Sequence, residues 1–200
     1  MVSHMARRLH TNERTDLTAY YTIRKESGHA MNNVNLEQMQ KFMDAVKKEP
    51  KQALKEKSVT GEWIFQEGKP QFVAEIPFQK GKVSLTCEMP PFAGGWGSSP
   101  DPLQYCLYGL AACYATTLVA TATNENVKLD SLKVTAENRV DLRKQLGLSK
   151  EPIIQKVGLK VHLEADVPRS TLERLVKLAE ERCPGTECVT RSIPLSAELE

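Results

Sequence analysis

Five cysteines carry most of the chemistry this chain can offer: Cys87, Cys106, Cys113, Cys183 and Cys188. A thiolate can act as nucleophile, metal ligand or redox centre, and its surroundings decide which. Zinc sites favour tight Cys-x-x-Cys clusters, and no two of these cysteines are spaced that way. Cys113 lies inside an apolar helical run, and Cys183 closes a second helix within RCPGTEC, seventy positions further on. A cysteine on a helix is most often a small buried hydrophobe. Two thiols, each in a distinctive local setting, nevertheless point to a redox pair that meets only when the chain folds. Cys87 alternates inward with Leu85 and reads as core. Cys106 precedes Cys113 by seven residues, about two helical turns or ~10 Å, too far for a disulfide within one helix. It reads as packing, or as a second thiol lining the same pocket. Cys183 and Cys188 are spaced closely enough to bridge each other, which leaves a local disulfide as an alternative. A metal reading would combine Cys183, Cys188 and either Cys106 or His162, without a recognised spacing. His162 itself falls on a polar strand face between Lys160 and Glu164, where solvation is its ordinary fate.

The elements that must position these thiols follow from hydrophobic period. Residues 1–33 have few large apolar side chains and read as a flexible segment, with SHM at 3–5 resembling a cloning junction. Leu17, Tyr20, Tyr21 and Ile23 are the residues there that could dock. Residues 34–58 form a helical extension: Asn35 and Gln38 make a capping pattern, Leu36, Met39, Met43 and Val46 recur at helical spacing, and Pro50 stops the run. The bland reading of that helix is packing against its own domain; the functional one is a dimer contact or a lid.

From Val59 the period is two, predicting a three-stranded antiparallel meander with turns at Gly68-Lys69-Pro70 and Lys80-Gly81-Lys82. PPFAGGWGSSPDP is a loop whose glycines lack the following Lys-Ser or Lys-Thr of a phosphate-binding loop. Trp96 within it is either exposed or folded over a pocket. A long helix from Leu103 to Asn124 is apolar nearly all round, which predicts burial on several sides. Two strands follow, around Leu132–Ala136 and Val157–Leu163, separated by a charged excursion. Ser170 with Glu173 predicts a capped helix ending at Cys183-Pro184, and Ile193, Leu195, Ala197 and Leu199 predict a closing strand. The sum is one α+β domain over 59–200, a long buried central helix against antiparallel sheet.

A net charge of +2 gives no electrostatic case for nucleic acid or an anionic membrane. The longest apolar stretch, Leu103–Ala122, is broken by Gln104, Thr116, Thr117 and Thr121, so no membrane span is expected. A polar, basic opening and an odd number of cysteines fit a reducing cytoplasm.

Three stretches resemble the family of the osmotically inducible protein C and the organic hydroperoxide resistance proteins. PLQYCLYGLAACYATTL, from Pro102 to Leu118, is similar to that family's first-cysteine helix; NVKLDSLKVT at 126–135 to the strand after it; RCPGTECVTRSIPL, from Arg182 to Leu195, to its second-cysteine turn. The resemblance covers about 59–200. It implies an intertwined homodimer with two active sites at the subunit interface, serving oxidative-stress defence as a thiol peroxidase for organic hydroperoxides. Cys113 would be the peroxidatic cysteine, oxidised to a sulfenic acid, and Cys183 would resolve it as a disulfide. An external dithiol would reduce that disulfide, and no cofactor is implied. The family's peroxidases hold the thiolate with an arginine and a glutamate. Gln104 falls at the glutamate position, with Asp101 nearby, and no arginine occurs between Arg24 and Arg139. Lys69, in a comparable turn, and Arg182, beside Cys183, are the substitutes on offer, although an ammonium lacks the planar fork of a guanidinium. Beside this enzyme stands a second reading on the same fold, a binding or carrier protein with Cys113 holding a thiol adduct, a persulfide or an apolar ligand.

Overall fold

The structure is a computed structural model that describes residues 30–199. The segment before Ala30, with the docking residues expected at Leu17, Tyr20, Tyr21 and Ile23, lies outside the described residues. The description opens on a small hairpin, β1 (Ala30–Met31) and β2 (Val34–Asn35), so residues 30–33 of the expected separate segment belong to this element. Asn32 and Asn33 both take positive φ, 52° and 61°, which asparagine tolerates better than other side chains and which suits a two-residue hairpin turn. Asn32 also anchors the hairpin: its amide donates to Thr123 Oγ1 (3.0 Å) and Val127 O (2.9 Å), and its oxygen accepts from Leu129 N (2.8 Å). Helix α1 (Leu36–Lys48) follows, with Asn35 Oδ1 accepting from Gln38 N and a short 3-10 turn at Pro50–Ala53 ending it.

Strands β3 (Gly61–Trp63), β4 (Phe72–Phe78) and β5 (Gly81–Cys87) form the expected antiparallel meander. Its register sets Phe72 opposite Cys87, Ala74 opposite Leu85 and Ile76 opposite Val83. After β5 the chain is pinned by two side chains. Glu88, 2% exposed, accepts from the backbone N–H groups of Trp96 (3.1 Å), Ser99 (2.8 Å) and Ser98. Gln71 accepts from Met89 N (2.8 Å) and donates to Gly94 O (3.1 Å). The loop closes so tightly that a Cβ on Gly95 would lie 1.6 Å from Met89 O, and only glycine fits.

Helix α2 (Pro102–Asn124) starts in a complete capping box. Asp101 accepts from Leu103 N (2.8 Å) and Gln104 N (3.2 Å), while Gln104 Oε1 accepts from Asp101 N (3.0 Å). Tyr105 OH donates to Thr86 O (2.8 Å), tying this end of α2 to β5. Burial along α2 is uneven: Leu110, Tyr114, Leu118 and Ala122 are buried, whereas Tyr108 in the first half is 72% exposed. The second half lies on the long hairpin of β6 (Ser131–Val140) and β7 (Ile154–Glu164), with α3 (Arg169–Arg182) packed beside it. Leu118, Leu175 and Ala179 are fully buried at that junction.

Two expectations are corrected. Ser170 does not cap α3: Pro168 precedes the helix and its carbonyl accepts from Thr171 N (2.9 Å), leaving Ser170 inside the first turn. Proline's fixed φ and missing N–H suit a helix entry, so the helix begins earlier than the serine signal suggests. The closing strand is also absent. After α3 the chain makes a further helix, α4 (Pro184–Thr190), and residues 192–199 then run without regular structure. Ile193, Leu195 and Leu199 alternate as a strand would but are exposed, for among the described residues no strand offers them a ladder.

Candidate active site

Cys113 and Cys183 meet where α2, α3 and α4 converge. Cys183 is at once the C-cap of α3 and the N-cap of α4. Pro184 cannot continue α3 but is suited to the first position of a new helix. Thr186 closes the corner, its hydroxyl donating to Glu180 O (2.6 Å) and Cys183 O (2.8 Å). The Glu180 carbonyl lies in the last turn of α3, where intrahelical partners run out, and the Cys183 carbonyl also accepts from Glu187 N (3.1 Å) to open α4. This corner turns Cys183 inward, 2% exposed among Tyr114, Leu118 and Ala179, with the half-buried Cys113 against it.

Cys113 packs against the buried cluster that holds Cys183, and the start of α4 at Gly185 lies directly against the Cys113 side chain. Glycine is what permits that approach: a Cβ at 185 would meet Cys113 Cβ at 3.1 Å, Leu110 Cδ1 at 3.3 Å and Cys113 Sγ at 3.5 Å. On the other side of α2, the Cys113 carbonyl accepts from the Thr116 and Thr117 hydroxyls, each at 2.9 Å. Burial is the largest influence on the Cys113 thiol and pushes its pKa up. The Gly185 N–H pulls it down, and the hydrogen bond to Cys183 with the charges of Cys183 and Cys188 push it up again, so that it ends above its ordinary value. None of these leading contributors is a cation.

Of the other sequence-derived site residues, Arg182 adjoins Cys183 in the chain, and the rest are held in other surroundings. Gln104 and Asp101 are committed to each other in the capping box. Nine residues separate Gln104 from Cys113, about 13 Å of helix. Lys69 is exposed in the β3–β4 turn, in a cleft with Trp63 and Trp96, and Arg182 is exposed at the last position of α3. Trp96 is 55% exposed. Cys106 is exposed seven residues before Cys113 on α2, and its charge acts on Cys87. Cys183 and Cys188 do not bridge, for all five cysteines are free. Among the described residues no cluster of three His, Cys, Asp or Glu has the geometry to hold a metal, and His162 pairs instead with Glu164 at 3.2 Å. Gly185 was missed by sequence reasoning. Its signal was the Cys-Pro-Gly order, a helix stop followed by a residue able to let another helix approach.

A model of the OsmC-like protein family matches residues 95–198, just over half of the chain. Among solved structures, an OsmC-like protein of unknown function from Vibrio cholerae shares the fold at TM-score 0.52 and 18% identity, over 68% of this chain and 95% of that one. An OsmC-like protein from Mycoplasma pneumoniae aligns at 0.49 and 16%, covering 68% and 87%. The organic hydroperoxide resistance protein OhrB of Bacillus subtilis aligns at 0.44 and 23%, covering 69% and 93%. No curated protein matches the sequence. The span matched by the family model contains α2, both converging thiols and the α3–α4 corner that joins them, and the chain belongs to the OsmC-like protein family.

Proposed function

We propose that this protein is a thiol-dependent peroxidase for organic hydroperoxides, working through Cys113 and Cys183. The observation that carries the reading is the packing into one cluster of two thiols seventy residues apart, one half-buried and one buried, with Gly185 of α4 against Cys113. In this reading the Cys113 thiolate attacks one peroxide oxygen and the O–O bond breaks, giving a Cys113 sulfenic acid and the alcohol. The Cys183 thiol then displaces hydroxide from Cys113, which leaves as water with the thiol proton, and a disulfide remains. An external dithiol restores both thiols.

A second copy of the chain fits the surface left open. The meander and the first half of α2 enclose an apolar cavity of about 550 Å³, lined by Trp63, Phe72, Ile76, Leu85, Tyr105 and Tyr108 among others. Such a contiguous apolar face suits an obligate interface better than solvent. In a homodimer the partner would also supply a cation to Cys113, where none stands among the leading influences from the described residues. Small-angle scattering or light scattering at working concentration checks the dimer.

The raised pKa of Cys113 favours one competing reading, a carrier whose thiol holds an adduct without turnover. Steady-state consumption of cumene hydroperoxide with dithiothreitol as reductant separates the two. The peroxidase reading expects turnover that Cys113→Ser abolishes. Absence of turnover, with a stable mass adduct on Cys113, would select the carrier.

A further inference from the structure

Cys188 belongs to the same thiol cluster, and the cycle above leaves it unused. It stands on α4 three residues after Gly185, and residues three apart share a helix face. The Gly185 face is the one seated on Cys113. One turn further on, about 4.5 Å of rise, Cys188 lies along the same α2–α4 seam, and its charge acts on the Cys113 thiol. Thr186, Val189 and Thr190 turn instead toward a cavity beside Leu110 and Tyr114.

The cluster is graded in accessibility. Cys183 is buried, Cys113 half-buried and Cys188 exposed. A reductant must approach a disulfide sulfur along the S–S axis, and the buried half of a Cys113–Cys183 bond offers it no such path. Direct exchange between Cys183 and Cys188 is unfavourable. Five residues of helix place their backbones about 7.5 Å apart, beyond the Cα separation a disulfide spans. Cys113, on the same α2–α4 seam, is the sulfur left for Cys188 to attack.

We infer that Cys188 is an exchange thiol of this site, carrying the disulfide from buried Cys183 to the surface before an external dithiol reduces it. The role rests on the dithiol reading of Cys113 and Cys183 given above. The Cys188 thiolate attacks Cys113 Sγ, and the Cys113–Cys183 bond breaks. Cys183 leaves as a thiolate and takes up the proton that Cys188 gave up. The resulting Cys113–Cys188 disulfide is then reduced by two exchanges with the dithiol, which is itself oxidised to its disulfide. No oxidant beyond the first step is consumed.

The test uses diamide, which oxidises thiol pairs without any peroxide chemistry, on the full chain and two variants. Cys183→Ala keeps a small apolar group at the buried site, and Cys188→Ser alters an exposed position. Trypsin leaves Cys183 and Cys188 on one peptide, between Arg182 and Arg191. Cleavage after Glu187 separates them, so each linkage is read by mass after alkylation of the remaining thiols. The expected result is a Cys113–Cys188 disulfide in oxidised Cys183→Ala. Re-reduction of oxidised Cys188→Ser by dithiothreitol should also be at least about tenfold slower than that of the unmodified chain, since exchange rates track access to the attacked sulfur. Folded Cys183→Ala, by circular dichroism, that leaves both thiols free under diamide overturns the proposal. So does Cys188→Ser re-reduced at the unmodified rate. A chain inert to peroxide that still forms the Cys113–Cys188 bond under diamide keeps the exchange thiol and loses the peroxidase.

Discussion

Replacing Gly185 by alanine places a methyl group between α4 and α2. Its carbon would sit 3.1 Å from Cys113 Cβ and 3.3 Å from Leu110 Cδ1, against an optimum of about 3.5–4.0 Å for carbon pairs. The two helices must part by a few tenths of an ångström. Overpacking of this kind costs about 1–3 kcal/mol, offset by at most about 0.5–1 kcal/mol from exchanging glycine for alanine in a helix. Net destabilisation of about 0–2.5 kcal/mol is therefore expected, readable as a shift of the urea midpoint at unchanged slope. The larger consequence falls on the thiol. The Gly185 N–H is the one group among the leading influences on Cys113 that favours the thiolate. If its retreat weakens that bond by about 1 kcal/mol, out of the roughly 1.5–3 kcal/mol of a hydrogen bond to a charged group, the Cys113 pKa rises further. Alkylation at neutral pH then slows about fivefold, at 1.36 kcal/mol per pKa unit. Peptide-resolved iodoacetamide kinetics measure this, with exposed Cys106 as the internal reference. A variant that loses stability as expected while Cys113 reacts at the original rate, or faster, refutes the role given to the Gly185 N–H.

Tyr114→Phe removes the hydroxyl that donates to Val176 O at 2.9 Å in the core. It should lower stability by about 0.5–1.5 kcal/mol in urea, the net worth of one hydrogen bond, since the Val176 carbonyl keeps its place in the α3 ladder. The same residue predicts an alkaline transition. Burial, then the charges of Glu180 and Cys183, raise the Tyr114 pKa to about 12. The stability tied to its neutral form is present below the unfolded tyrosine value, about 10, and is lost as pH climbs from there toward about 12. Glu88 behaves in the opposite sense: burial raises its carboxyl, but the N–H groups of Ser99, Trp96 and Ser98 outweigh burial and hold it below the ordinary value. Its contribution is present above the unfolded carboxylate pKa and disappears as pH falls through the lower folded one. Tryptophan fluorescence should report loosening around Trp96 at acid pH, and Glu88→Gln should show it already at neutrality. Asn32→Ala deletes three hydrogen bonds to the α2–β6 corner. Amide exchange over 30–48 should accelerate by tenfold or more, one such bond being worth about 1 kcal/mol, while the β6–β7 core stays protected.

What the sequence made legible was whatever local pattern determines. Leu36, Met39 and Met43 marked α1, the alternation of Phe72, Ala74 and Ile76 marked β4, and the setting of Cys113 and Cys183 singled out the thiols that meet. The failures share a cause. Ile193, Leu195 and Leu199 alternate correctly, yet a strand exists only beside another strand, and the described chain supplies none there. Ser170 carries a capping signal that Pro168 pre-empts by its own geometry. Glu88 carries no signal in the sequence, because its partners are backbone groups of a loop eight to eleven residues on, which no side-chain pattern announces. Gly185 matters for what would clash with it from another helix.

The central claim is that Cys113 and Cys183 form a catalytic disulfide on meeting an organic hydroperoxide. The most direct measurement is a titration of the reduced protein with cumene hydroperoxide, quenched with an alkylating agent and read by peptide mass. One equivalent should consume two thiols within seconds and give a Cys113–Cys183 linkage that dithiothreitol reverses. Survival of both thiols in excess peroxide would contradict the account and leave the fold to a binding or carrier role.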